Sequence, residues 1–304
     1  MQIRILGSAA GGGFPQWNCN CAGCQAVRSG KEGVHSRTQS SLAIRDSSGG
    51  WFLVNASPDV RQQLERLRDG SSVGVRSSPI VGILLSDAEI DHTAGLTILR
   101  EANEPLQVYG TDAVRQALTE GYSLLRILKN YCGVEWTTLE PGSVMNLNSK
   151  GESGLTVEAF TVTGTPPKYM SSSSVAEGNW VVGFTFRDRL NAKVVTYAPA
   201  LAEFTPEIVE RFEASDCILV DGTFWQNDEL VRLGTSTRDA LAMGHLPLAG
   251  DDGSLARLAR LNCSRKIFVH INNTNPILIP NSPERQMVEA AGIEVGYDGL
   301  AIEL

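Results

Sequence analysis

Histidine is scarce in this chain: four occur in 304 residues, at His35, His92, His245 and His270. A site built from many imidazoles is therefore excluded. Cysteine is nearly as rare, at six, too few for a disulfide scaffold. No apolar run reaches the ~18 residues that read as a membrane-spanning helix. A basic block is missing too. Lys and Arg number 26 against 34 Asp and Glu, a net charge of −8, which argues against nucleic acid or an anionic membrane as partner. The opening MQIRILGSAAGGGF reads as a strand and a glycine loop rather than a secretory signal. A cytoplasmic protein is the expectation. What is present, 42% apolar and 20% charged residues, is the balance of a globular chain with a sizeable core.

Short Val/Ile-rich runs bounded by Gly, Asp or Ser predict strands at 2–6, 42–45, 51–55, 80–85, 107–109, 156–160, 180–187, 193–197, 217–220, 266–270 and 293–297. Helices are predicted at 58–68, 93–101, 112–128, 206–215, 254–261 and 282–291. The first follows Ser57 with Pro at the opening position, and the last begins SPER, both good helix starts. Residues 171–174 with Glu177 and Gly178 read as a mobile surface loop. There is no internal repeat and no linker, so one domain over 1–304 is expected. Strands precede helices in each half, without strict alternation. That predicts an α/β fold whose sheets carry helices on their outer faces.

Chemistry concentrates in LLSDAEIDHTAGL. An apolar strand ends just before it and a helix begins just after. Asp87, Glu89, Asp91 and His92 thus gather at a strand's C-terminal end, where loops face a crevice. Three carboxylates and one imidazole offer hard oxygen and nitrogen ligands. The alternative is a polar turn whose Asp91 caps the next helix. His270 ends the apolar strand of KIFVHINNTNP, His245 lies in MGHLPL, and His35 sits in a polar stretch and is read as structural.

Residues WNCNCAGC place Cys19, Cys21 and Cys24 in a CxCxxC. Three thiolates at this spacing wrap one ion, and soft sulfur points to structural zinc. Cys132, Cys217 and Cys263 lie singly and are read as core thiols. Gly11, Gly12 and Gly13 lack the Lys-Ser/Thr of a phosphate loop and are read as a tight turn beside the site. Phe14, Trp17 and Trp225 are read as core, with stacking on an aromatic ring as the alternative.

The segment resembles the metallo-β-lactamase superfamily, whose HxHxDH stands here as DxExDH. Asp87 and Glu89 occupy the first two histidine positions, and Asp91–His92 match. Carboxylates in place of imidazoles shift the expected metal from zinc toward iron, manganese or magnesium. The resemblance makes His270 the final metal-binding histidine. It also puts Tyr197 where a bridging Asp is usual, so a dinuclear hydrolase site is doubtful. His92, His270 and Asp91 or Glu89, with Asp87 as a further candidate, then form a two-His-one-carboxylate set. A branch of the superfamily carries the same CxCxxC, with a histidine three residues past the last active-site His as fourth ligand. Here that position is Asn273.

The runs LGSAAGGGFPQWNCNC, RTQSS, NASPD, EIDHTAGL, YAPAL, LVDGTFW, MGHLP, HINNTNPIL and SPER together resemble the pyrroloquinoline quinone biosynthesis protein B family. The resemblance implies an αββα sandwich of two mixed sheets, a structural zinc on the cysteines, and Fe(II) at DxExDH. It implies O2-dependent hydroxylation of the tyrosine ring in a peptide-derived, cross-linked Glu–Tyr precursor. In an oxygenase of that kind, His245 or Asp221 (in LVDGTFW) is the expected proton-moving group. A metal-dependent hydrolase and a carrier for the finished quinone are the alternatives. A zinc-stapled loop displaying Phe14, Pro15 and Trp17 as an apolar surface predicts a homodimer.

Overall fold

The computed structural model describes residues 1–46, 49–68, 75–147, 154–162, 165–170 and 178–304. Among these, the strands in chain order are β1 (Gln2–Gly7), β2 (Ser41–Arg45), β3 (Trp51–Val54), β4 (Ile80–Leu84), β5 (Leu106–Gly110), β6 (Val134–Thr138) and β7 (Val144–Asn146). The second half adds β8 (Leu155–Thr161), β9 (Val182–Asp188), β10 (Val194–Ala198), β11 (Cys217–Asp221), β12 (Arg265–Val269), β13 (Glu294–Val295) and β14 (Ala301–Glu303). They build two sheets, β14-β1-β2-β3-β4-β5-β6 and β13-β12-β11-β10-β9-β8-β7. Both are mixed. β3 to β6 run parallel in one, and β10 to β13 run parallel in the other.

Side-chain alternation explains the layering. On β2, Leu42 and Ile44 point to the space between the sheets, while Ala43 faces the outer helices. On β11, Cys217 and Leu219 point inward, and Ile218 and Val220 face outward. Strands covered on both faces read as unbroken apolar runs, as these do. Each such aliphatic side chain withdrawn from water contributes about 1.5–3 kcal/mol. Helix Pro206–Glu213 lies on the outer face of the second sheet. Thr205 caps it, its Oγ1 accepting from the Ile208 amide at 3.3 Å, and Ile208 and Phe212, one turn apart, are buried. Ser282 caps Pro283–Ala290 in the same way, at 3.0 Å from the Arg285 amide. The result is the expected αββα sandwich.

Some boundaries differ from the sequence expectation. The helix predicted over 112–128 is broken into Asp112–Gln116, a π-turn Ala117–Gly121 and Leu124–Leu128. A Cβ on Gly121 would lie 2.3 Å from Met170 Sδ, so the segment Lys168–Met170 presses where a side chain would stand. Helix Ala22–Arg28 and strands β6, β7 and β14 were not anticipated. The loop expected at 171–174 and Glu177 lies outside the described residues. Among the described residues, no helix is long and apolar enough to cross a membrane.

The parallel runs place the chemistry. The residues after β4, β11 and β12 all leave C-terminal strand ends, and the two sheets bring those ends together. The rings of His92 and His270, from opposite sheets, lie 5.1 Å apart at 65°.

Candidate metal centre

The loop after β4 is shaped by one carboxylate. Asp87 is buried, and its Oδ1 accepts the Glu89 amide at 2.9 Å while its Oδ2 accepts the Ser86 hydroxyl at 2.8 Å. Both oxygens also meet His92 Nδ1, at 2.8 and 2.7 Å. A carboxylate only accepts, so Nδ1 donates. The opposite nitrogen, His92 Nε2, is buried without a hydrogen-bond partner. Such orphaned polar atoms are rare and call for an explanation.

The explanation lies beside it. Asp91 Oδ2 is 3.7 Å from His92 Nε2 and 3.6 Å from His270 Nε2. Ligand atoms of Asp91, His92 and His270 lie within 4.8 Å of one another, a spacing one cation can bridge. The residues fit a metal: two imidazoles, one carboxylate, and an Nε2 with nothing else to bind. The electrostatics agree. Burial alone would raise the Asp91 carboxyl, but His92 and His270 hold it well below the usual carboxylate range. Burial would lower His92, yet Asp87 and Asp91 outweigh it and push it up to about 9. His270 moves down instead, through burial and the neighbouring His92 and His245.

Two of the expected residues, Asp87 and Glu89, stand outside the cluster in which the sequence reading placed them as candidate ligands. Asp87 lies behind His92, on its Nδ1 side, and outside the cluster of ligand atoms. Its position in the motif is that of a ligand, but its oxygens are spent on His92, Ser86 and Glu89. Glu89 is exposed and also stays outside that cluster. Partial burial of the carboxyl and repulsion from Asp87 and Asp91 raise it above the usual carboxylate range. Asp221 and His245 form a hydrogen-bonded group. His245 Nδ1 donates to Asp221 Oδ2 at 2.7 Å, and the Leu201 amide donates to the same oxygen at 2.9 Å. The His245 ring stacks on His270, 5.4 Å away at 20°. Asp221, His245 and His270 also bring three donor atoms within 4.8 Å, but these are engaged with one another and with Thr223. Thr223, absent from the sequence reading, has its Oγ1 2.5 Å from Asp221 Oδ1 and 2.9 Å from His270 Nδ1.

The glycine loop presses on the site from the other side. A Cβ on Gly11 would lie 3.2 Å from Asp91 Oδ2. Gly12 and Gly13 follow with φ of +91° and +68°, the left-handed turn that glycine permits. Tyr197 is fully buried, its hydroxyl 3.2 Å from Ser40 Oγ.

The sulfurs of Cys19, Cys21 and Cys24 also lie within 4.8 Å of one another. The Asn273 amide closes the group, with Nδ2 3.0, 3.7 and 3.4 Å from the three sulfurs. It thus stands beside all three sulfurs, and turning the amide about its last torsion would present Oδ1 to the same space. Burial pushes the Cys24 thiol up to about 12, and a bound cation removes such a proton outright. The donor set therefore fits zinc. The apolar surface expected on this loop is smaller than predicted. Trp17 is 87% exposed, but Phe14 is only 2% exposed and packs into the core beside Gly23. Trp225 is buried in the same core.

The beta-lactamase superfamily domain matches residues 50–271. Coenzyme PQQ synthesis protein B of Methylococcus capsulatus is 43% identical, with all of both chains covered. Its counterpart from Azoarcus sp. is 42% identical over the same full extent. The crystal structure of zinc-bound PqqB from Methylobacterium extorquens superposes with a TM-score of 0.89 at 37% identity, covering 100% of each chain. A diphosphatase of the PhnP family shares the fold, with a TM-score of 0.70 at 18% identity over 100% of this chain and 97% of that one.

Proposed function

The chain belongs to the coenzyme PQQ synthesis protein B family within the beta-lactamase superfamily, and from that premise we propose that it acts in the synthesis of this coenzyme as a metal-dependent oxygenase. The substrate is a peptide-derived Glu–Tyr precursor, and the reaction is hydroxylation of its tyrosine ring. One oxygen atom of O2 enters a ring C–H bond and the other leaves as water, with two electrons and two protons drawn from an added reductant.

The observation that carries this reading is the trio of Asp91, His92 and His270 around the unpartnered His92 Nε2. Two imidazoles and one carboxylate with open positions are the ligand set of non-haem iron oxygenases. Asp91, His92 and His270 would hold a ferrous ion, which would supply the redox step that zinc lacks. The chain's own groups do the rest. Asp87 fixes the ring of His92 from behind. Asp221 outweighs the burial of His245 and raises its basicity, and its bond to Nδ1 leaves Nε2 to take a proton from a ring hydroxyl. The Cys19, Cys21, Cys24 and Asn273 group would hold a structural zinc and tie the N-terminal loop to the loop after His270.

A hydrolytic reading has one observation in its favour, the zinc bound by the Methylobacterium extorquens relative. The two separate in one experiment. The protein is loaded anaerobically with ferrous iron, given a reductant and a Glu–Tyr precursor, and exposed to isotopically labelled O2. Label in the product ring supports the oxygenase. Label taken from water, or equal turnover with zinc under nitrogen, supports the hydrolase.

A further inference from the structure

Thr223 lies two residues beyond the end of β11, buried, and its hydroxyl touches four polar atoms. Asp221 Oδ1 is 2.5 Å away, the His270 carbonyl and His270 Nδ1 are each 2.9 Å away, and His245 Nδ1 is at 3.2 Å. The backbone beneath it is clamped. The Thr223 amide donates to Asp221 Oδ1 at 2.9 Å, and the Thr223 carbonyl accepts from the Asn272 amide at 3.1 Å and from Asn275 Nδ2 at 3.3 Å. The hydroxyl is thus fixed in place.

Proton counting then decides the direction of each bond. A threonine hydroxyl has one hydrogen to give. Asp221 Oδ1 and the His270 carbonyl can only accept, and the nearer, charged Asp221 takes most of that hydrogen. Nothing is left for His270 Nδ1, so Nδ1 must be the donor and Thr223 Oγ1 the acceptor. His245 Nδ1 already has its shorter bond, at 2.7 Å, to the other Asp221 oxygen. A neutral imidazole that carries its proton on Nδ1 has a bare lone pair on Nε2.

We propose that Thr223 is a positioning residue that sets the tautomer of His270, holding the ring proton on Nδ1 so that Nε2 faces Asp91 bare. Asp87 does the same for His92 directly, whereas Asp221 reaches His270 only through this hydroxyl. The backbone raises the need for such a hold. His270 has φ of +54°, a left-handed conformation that a non-glycine side chain adopts only when its surroundings enforce it. The bond from the His270 ring to Thr223 supplies part of that enforcement.

The purpose of the tautomer rests on the proposed metal site, but the tautomer can be read without metal. Long-range proton–nitrogen correlation spectra of the metal-free, histidine-labelled protein distinguish Nδ1–H from Nε2–H directly. The wild type should show His270 with a protonated Nδ1 and a bare Nε2. Thr223→Val keeps the side-chain volume and removes the acceptor. It should shift His270 toward the Nε2–H form and raise the cobalt(II) dissociation constant roughly 10- to 100-fold. Thr223→Ser should restore both. An Nε2–H tautomer in the wild type overturns the assignment, and so does a Thr223→Val protein that keeps the wild-type spectrum. The wild-type spectrum and Thr223→Ser carry the test even where Thr223→Val folds poorly. Should the wild type show the expected tautomer yet bind no cobalt(II), the metal reading falls and the role of Thr223 stands.

Discussion

Asp87 grips His92 Nδ1 with both carboxylate oxygens, at 2.8 and 2.7 Å. The first acidic position of DxExDH therefore acts on the candidate metal site through an imidazole. Asp87→Asn keeps the shape and loses the charge that holds the His92 proton. We expect the active-site metal to bind roughly 10- to 100-fold more weakly, with metal at the cysteines retained. Calorimetric titration with cobalt(II) measures it, and unchanged affinity would assign Asp87 to folding alone.

Proton competition gives the pH dependence of that binding. In the metal-free protein Asp87 and Asp91 push His92 up to about 9 against its burial, so near neutral pH its Nε2 carries a proton that metal must displace. Apparent affinity should rise by about tenfold per pH unit up to about pH 9 and then level off. A flat profile over this window would mean that His92 binds no metal.

Stability of the metal-free protein should move the other way. A histidine raised from 6.5 to about 9 adds stability that is fully present below about pH 6.5 and is lost as pH rises through about 9. The change is on the order of 3 kcal/mol. Thermal melts across this range should show a falling Tm, and Asp87→Asn should flatten the fall. Saturating metal should reverse the trend, because it binds the deprotonated ring.

Gly11→Ala tests the loop that presses on Asp91. Gly11 is not among the positive-φ glycines, so alanine meets no backbone strain there. Its Cβ would stand 3.2 Å from Asp91 Oδ2, tighter than ordinary contact. Asp91 must shift, and active-site metal affinity should fall by about tenfold, the price of roughly 1.4 kcal/mol, with Tm little changed. Equal affinity would show that Asp91 has room to move.

The layering of sheets under outer helices and the candidate ligand positions were legible because they rest on local signals, while the αββα sandwich came with the family resemblance. Unbroken apolar strands read as buried from both faces, and the step from strand to polar loop to helix marked residues 87–92 directly. His270 was legible as a polar residue ending an apolar strand. The division of labour among the carboxylates was not. Asp87 and Asp91 look alike in sequence, and only the fold decides that one faces Nδ1 of His92 and the other Nε2. Thr223 carried no signal beyond a D-G-T turn after a strand, since its partners His245 and His270 come from distant segments. The helix at 112–128 breaks for a similar reason: Met170 and Tyr169, some fifty residues on, occupy the space at Gly121. The short strands β7 and β14, three residues each, are too brief to show a period.

Metal analysis of paired variants tests the central claim most directly. His270→Ala and Cys21→Ser are purified alongside the wild type, and metal per chain is measured by mass spectrometry after loading with iron and zinc. The account predicts that His270→Ala loses the iron and keeps about one zinc, while Cys21→Ser loses that zinc and keeps the iron-binding site. Full iron occupancy in His270→Ala, or loss of the zinc in that variant with the iron retained, would contradict the assignment of Asp91, His92 and His270 as the metal centre.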